Sequence, residues 1–169
     1  MKNLIKIIMV IFLASLFNIN AYSAGSDGGS KVKKENKYAF NYKKAKRLIK
    51  KAKKLEKKGK AEKAKENYKE ALESLLLTYT DRYNDPDVLN YLGFTSRKID
   101  DFKNAETYYL MGLKIDPNHN GINEYLGELY VQTNRMDKAK ERLSVLKNCN
   151  CEEYTELKDI IEGKKESKY

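Results

Sequence analysis

Tyr91-Leu92-Gly93 recurs thirty-four residues later as Tyr125-Leu126-Gly127, and Ala105 recurs at the same offset as Ala139. Four positions sharing one offset mark a supersecondary unit that is repeated and stacked. This restricts the architecture more than any composition does. The glycines are the informative members. A glycine inside a helix costs roughly 1 kcal/mol relative to alanine, so two at equivalent mid-helix positions need a compensating cause. Close approach of a neighbouring helix, where any side chain would collide, supplies one. The chain therefore reads as a stack of helix pairs.

Apolar spacing lays those helices out. From about Tyr38, the residues Ala45, Leu48, Ile49, Ala52 and Leu55 recur at three- and four-residue steps and build one stripe, which Lys57-Lys58-Gly59 ends. Ala61, Ala64, Tyr68, Ala71, Leu72 and Leu75 predict a second helix running on toward Tyr83, where Asn84-Asp85-Pro86 stops it. Val88, Leu89, Leu92 and Phe94 carry a third, ending near Lys98. Asp100 or Asp101 then caps a fourth that holds Phe102, Ala105, Tyr109 and Leu113. After the loop at 116–121, a further pair is predicted over 122–132 and 136–146, with a last short helix around Tyr154, Leu157, Ile160 and Ile161.

These residues bear a family likeness. The chain resembles the tetratricopeptide repeat, a 34-residue helix–turn–helix with a Leu-Gly pair in its first helix and Ala, an aromatic and Pro further on. In residues 86–119, Leu92, Gly93, Ala105, Tyr109 and Pro117 fill those places, while Leu89 and Ser96 stand where the pattern has Trp and Tyr. In residues 120–153, Leu126, Gly127, Tyr130 and Ala139 match, and Asn123, Leu143 and Cys151 depart. A degenerate first repeat spans 45–78, with Lys51 in place of leucine and a second helix that overruns by about seven residues. The resemblance implies an all-α, TPR-like right-handed α-solenoid of about three helix–turn–helix repeats plus a C-terminal capping helix at about 152–162. It covers a helical domain of 38–162, followed by a polar tail at 163–169. One helix pair cannot bury its own apolar face, so about three units are the usual minimum.

The start of the chain reads as an export signal over residues 1–24. Lys2 and Lys6 precede an apolar run at 7–17, and small residues follow at Ala21, Ser23 and Ala24. Eleven apolar residues fall well short of the ~20 that span a bilayer, so cleavage is expected, with an uncleaved anchor as the alternative. No cysteine follows to take a lipid. The mature chain is then exported, to the periplasm of a two-membrane host, without stable membrane insertion. Residues 25–37 read as a flexible polar linker.

The net charge of +10 is unevenly placed: residues 31–70 hold 18 Lys/Arg against 5 Glu, whereas 71–169 hold 14 against 18 Asp/Glu. A basic helix kept soluble by its outer side explains this without nucleic acid as a partner. Catalytic groups are scarce. His119 is the single histidine and lies in an inter-repeat turn, where it reads as a turn or helix-start contact. There is no HExxH pair, phosphate loop or GxSxG elbow. No catalytic residue, metal site or cofactor is expected. Cys149-Asn150-Cys151 leaves three readings open: a local disulfide brace, a soft-metal or intermolecular site, or a thiol-exchange centre. The last two support a rival function in redox or metal handling.

The resemblance places function in a concave groove lined by the first helix of each repeat, which holds a peptide or partner helix. By position that surface includes Asn90, Phe94, Arg97 and Lys98, then Glu124, Glu128, Val131 and Gln132, with Ile49, Lys53 and Lys57 from the first repeat. An exposed Phe94 amid mixed charge suits a polypeptide ligand. The lysine-and-asparagine carboxylate clamp of some family members is not recognisable, since Tyr91 occupies the asparagine position. The expectation is a non-enzymatic scaffold or adaptor of the cell envelope, whose partner is another protein or peptide.

Overall fold

The computed structural model describes residues 28–167, and from Lys33 onward the chain packs as one compact unit. Among the described residues the chain forms α1 (Gly28–Glu56), α2 (Ala61–Asp81), α3 (Pro86–Lys98), α4 (Phe102–Ile115), α5 (Asn120–Gln132), α6 (Met136–Leu146) and α7 (Glu152–Ile161), with no strand. From α2 onward helices adjacent in sequence pack in succession, α7 closes on both α5 and α6, α3 also touches α5, and α1 is joined to α2 by the Tyr68–Glu56 and Lys44–Glu70 contacts. This is an all-α solenoid of three helix pairs and a cap. The export signal expected at 1–24 lies outside the described residues. No described helix is long and apolar enough to cross a membrane.

One turn design joins the two helices of every pair. Gly59, Asp100 and Asn134 each adopt a left-handed conformation, with φ of +69°, +67° and +58°. In each case the next amide reaches back five residues, Lys60 N–H to Leu55 O, Asp101 N–H to Ser96 O and Arg135 N–H to Tyr130 O. This six-to-one closure satisfies carbonyls that the ending helix would otherwise leave unpaired. Asp100 and Asn134 stand thirty-four residues apart, Gly59 and Asp100 forty-one. The seven extra residues belong to α2, whose two added turns make the first unit longer than the other two. Entry into α3 and α4 is capped by aspartates. Asp85 accepts from Asp87 and Val88 amides ahead of Pro86 at the first helical position, and Asp101, with Asp100 taken by the turn, accepts from Asn104.

Two stretches differ from the sequence reading. The linker expected at 25–37 is helical from Gly28 onward. Residues 31–35 contain no proline and are rich in Lys and Glu, so a helix nucleated by the packed stripe of Ala45, Ile49 and Ala52 extends backward at little cost. The polar tail, in turn, is docked as far as Ser167. Lys164 and Lys165 amides bond Asp159 O, the Lys165 ammonium pairs with Glu156, and Ser167 Oγ donates to Glu128 at 3.0 Å. Polar side chains at the end of a chain can dock when carboxylates face them across a short turn, here the one at Gly163.

The core is built from small and large residues in alternation. Ala45 and Ala52 of α1 meet Ala64, Tyr68 and Ala71 of α2, all essentially inaccessible to water, which lets these two helices pack closely. Leu92, Ala105, Tyr109, Leu126 and Ala139 are likewise fully buried, Gly93, Gly127 and Tyr130 are buried, and Pro117 lies exposed in the α4–α5 turn. A Cβ added to Gly93 would stand 2.4 Å from a Tyr109 ring carbon, and one added to Gly127 would stand 2.5 Å from a Leu157 methyl.

Candidate functional site

The first helices of the three pairs, α1, α3 and α5, stand side by side, and the residues expected to line a groove fall on them. Their surroundings split into three zones along the stack. The middle zone is closed. Phe94, read from sequence as exposed, is 2% exposed, because Tyr68 and Tyr125 flank its ring at 5.8 and 5.4 Å and the Lys53 ammonium caps it at 4.6 Å. An ammonium over the face of an aromatic ring is attracted by the ring quadrupole. Arg97 is equally buried. It pairs with Glu128 at 3.1 Å and donates to the Tyr125 carbonyl at 3.2 Å, a bond that ties α3 to α5. Lys98 pairs with Glu56 at the end of α1, and Glu56 also accepts from the Tyr68 hydroxyl at 2.9 Å. Burial lowers the Lys98 pKa in spite of Glu56, and burial with Glu56 beside it raises that of Tyr68. Phe94, Arg97, Lys98 and Glu128, placed on an open surface by the sequence reading, therefore act as seams between helices.

The second zone, on the C-terminal side, is polar and acidic. A cavity of about 480 Å³ is lined by Asp87, Asn90, Asp116, His119, Glu124 and Glu153, among others, and a smaller one of about 220 Å³ by Glu124, Tyr125, Glu152, Glu153 and Glu156. Asn90 keeps its Oδ1 buried there without a hydrogen-bond partner among the described residues. His119 is the N-cap of α5: Nδ1 accepts from the Ile122 amide at 3.2 Å, leaving Nε2 to donate to Asp87 at 3.2 Å. That arrangement fixes its tautomer and makes it a structural clip between repeats. Val131 is half-buried and Gln132 exposed at the far end of α5.

The third zone is an open trough of about 440 Å³ on α1. Ile49 and Tyr91 form its floor, and Lys46, Lys50, Lys53, Lys54 and Lys57 form its walls. Ile49, Lys53 and Lys57 were expected on this face from their place in the first repeat. Lys46, Lys50, Lys54 and Tyr91 were not. Their signal is nevertheless in the sequence: lysines at i, i+4, i+8 and i+11 fall on one side of a helix, the side that carries Ile49. A count of lysines reads this as an outer, solvated face. The lysines do stay exposed, but they border a trough because Tyr42 and Tyr91 meet edge-to-face at 5.8 Å and bring α3 against that side of α1. The Lys46 ammonium stands over both rings, at 5.4 and 6.0 Å.

Cys149 and Cys151 are joined by a disulfide, with Cα atoms 5.1 Å apart. The intervening Asn150 is left-handed, with φ of +49°. Bridged in this way, the sulfurs brace the turn before α7. Among the described residues no group of three or more His, Cys, Asp or Glu side chains is placed to hold a metal.

No model of a known protein family matches the chain, and no curated protein sequence does. Solved structures do match. The first TPR domain of Spaghetti (RPAP3), bound to an HSP90 peptide, aligns with a TM-score of 0.52 at 21% identity, over 72% of this chain and 94% of its own. The second TPR domain of human RPAP3, in complex with an HSP70 peptide, aligns at 0.53 and 14% identity, over 74% and 98%. The Yersinia enterocolitica type III secretion chaperone SycD, in complex with a peptide of the translocator YopD, aligns at 0.50 and 18%, over 70% and 86%. The fold is that of the tetratricopeptide repeat. In this fold α1, α3 and α5 are the first helices of the three pairs, with the lysine trough beside α1, the buried aromatic and ionic seam joining α3 to its neighbours, and the acidic cavities on the C-terminal side.

Proposed function

We propose that this protein is an exported, non-enzymatic scaffold of the cell envelope that binds a polypeptide partner on the concave side of its helix stack. One observation carries the reading. The open trough beside α1 pairs an apolar floor, Ile49 and Tyr91, with charged walls, the combination that peptide grooves use for affinity and for orientation. Solved domains of the same fold lend support, since those of RPAP3 and SycD were determined with peptides bound. The placement in the envelope rests on the signal-like start of the sequence and on the bridged cysteine pair, a bond that persists in oxidising compartments. The non-enzymatic reading rests on the single histidine being committed to a helix cap and on Asp85 and Asp101 likewise serving as caps.

A photo-crosslinking residue at Tyr91 or Lys50, expressed in intact cells, should trap a polypeptide in the envelope fraction. Probes at Thr107 and Lys140, exposed on the second helices, should trap none. Capture from the second helices alone would overturn the assignment.

A further inference from the structure

We propose that the partner segment seated in the α1 trough is acidic and amphipathic, with carboxylates along the lysine walls and an apolar side chain on Ile49 and Tyr91. The proposal rests on the reading above and supplies its ligand chemistry.

Charge complementarity is the first argument. Lys46, Lys50, Lys53, Lys54 and Lys57 lie within three turns of one helix, about 16 Å at the ordinary rise. An extended peptide spans that distance in about five residues. Lysines four apart on a helix repel one another and cost the isolated helix a few tenths of a kcal/mol per pair. Two carboxylates beside α1 pair with groups outside the trough, Glu56 with Lys98 and Tyr68, and Glu70 with Lys44. A ligand that brings its own carboxylates removes this repulsion.

The rest of the concave side sets how far the acidic stretch extends. Glu124, Glu152, Glu153 and Glu156 cluster at the other end of the stack, with Asp87 and Asp116 between. A long polyanion lying across the groove would meet these carboxylates, so a nucleic-acid backbone is disfavoured and a short acidic block favoured. That opposition also fixes register, since the acidic block is drawn to one end and repelled from the other. The floor argues against a lipid surface. Ile49 is only 5% exposed at the bottom of a trough, where a side chain can reach and a flat bilayer cannot. Nothing in the trough demands a chain terminus: no asparagine lines it, and Tyr91 presents a ring in its place.

The test measures fluorescence anisotropy of the purified protein with short synthetic peptides. The set comprises a Glu/Asp-rich peptide bearing one Leu, its Leu→Ser form, its Lys-for-Glu counterpart, and the acidic peptide with an amidated C-terminus. The Leu-bearing acidic peptide should bind best, with affinity falling as salt rises. Amidation should change it less than about twofold. Exchanging Lys50→Glu together with Lys54→Glu should weaken it by about tenfold or more. The pair Lys51→Glu with Lys58→Glu, exposed but outside the trough, should have little effect, and circular dichroism should show all variants folded.

Equal binding of the basic peptide, or equal loss with both pairs of variants, overturns the proposal. So does binding of phosphatidylglycerol vesicles or an oligonucleotide with no binding of any peptide. A crosslinked partner whose captured segment is not acidic sinks this inference and leaves the scaffold reading standing. Failure to capture any polypeptide on the concave side sinks both.

Discussion

Helices α3 and α5 carry the same Tyr-Leu-Gly at the same turn, yet the neighbour that requires each glycine differs. A Cβ on Gly93 would meet three ring atoms of Tyr109, at 2.4, 2.5 and 2.8 Å. Tyr109 belongs to α4, the second helix of the same repeat. A Cβ on Gly127 would meet the two methyls of Leu157, at 2.5 and 2.8 Å, which belong to the cap α7. The residue thirty-four after Tyr109 is Leu143, smaller and only half-buried, so the terminal repeat lacks an aromatic to lay across its glycine. The cap supplies the missing contact. An internal repeat thus closes on its own second helix, while a terminal one depends on the element that ends the stack.

Chemical denaturation followed by far-UV circular dichroism can break or sharpen this contrast. The largest effect is expected at the bond between the two helices. Glu128→Ala would leave Arg97 buried without its partner and cost about 3–5 kcal/mol. Arg97→Met combined with Glu128→Leu should recover most of that loss, because two apolar side chains carry no desolvation penalty. Full retention of stability in the single variant would mean that α3 and α5 are held by apolar packing alone. Next comes Gly93→Ala, expected to cost about 1–2 kcal/mol, since a rigid, buried ring must move and the gain in helix propensity offsets only part of the strain. Gly127→Ala should stay within about 1 kcal/mol of the parent, because the flexible Leu157 side chain can rotate away. Equal costs at the two glycines would erase the distinction between ring and methyl neighbours.

The smallest effect is expected at Tyr109 itself. Its hydroxyl is buried without a hydrogen-bond partner among the described residues, and burial raises its pKa. Tyr109→Phe keeps the ring that faces Gly93 and removes a polar group that gains nothing from the interior. Stability should be unchanged or up to about 1 kcal/mol higher. A clear loss would show that the hydroxyl holds α4 in place.

Much of the fold was legible because each helix buries one stripe, and stripes have a period. The thirty-four-residue offset, the helix bounds from α2 to α7 and the overrun of α2 all follow from apolar spacing together with Pro86, Gly59, Asp100 and Asn134 at breaks. The start of α1 was missed because the sequence between Gly28 and Tyr38 carries no recognisable apolar period, and a polar linker and a polar helix have similar composition. The groove was only partly legible. Ile49, Lys53 and Lys57 could be placed by repeat position, but Phe94 and Arg97 were read as surface. Their burial depends on Tyr68, Tyr125, Glu128 and Lys53, which come from three other helices.

The amino-acid order alone determined the repeated helix pair, its length and its turns, since these depend on interactions within a few residues and on which stripe must leave water. The lateral packing of α1, α3 and α5 decided which of their side chains are buried and which stay open. It buried Phe94 and the Arg97–Glu128 pair between helices, and set a stripe of exposed lysines along a trough with Ile49 and Tyr91. A side chain at the edge of a helix stripe is buried or open according to the angle and size of its neighbours, and that information is spread over residues far apart in the chain.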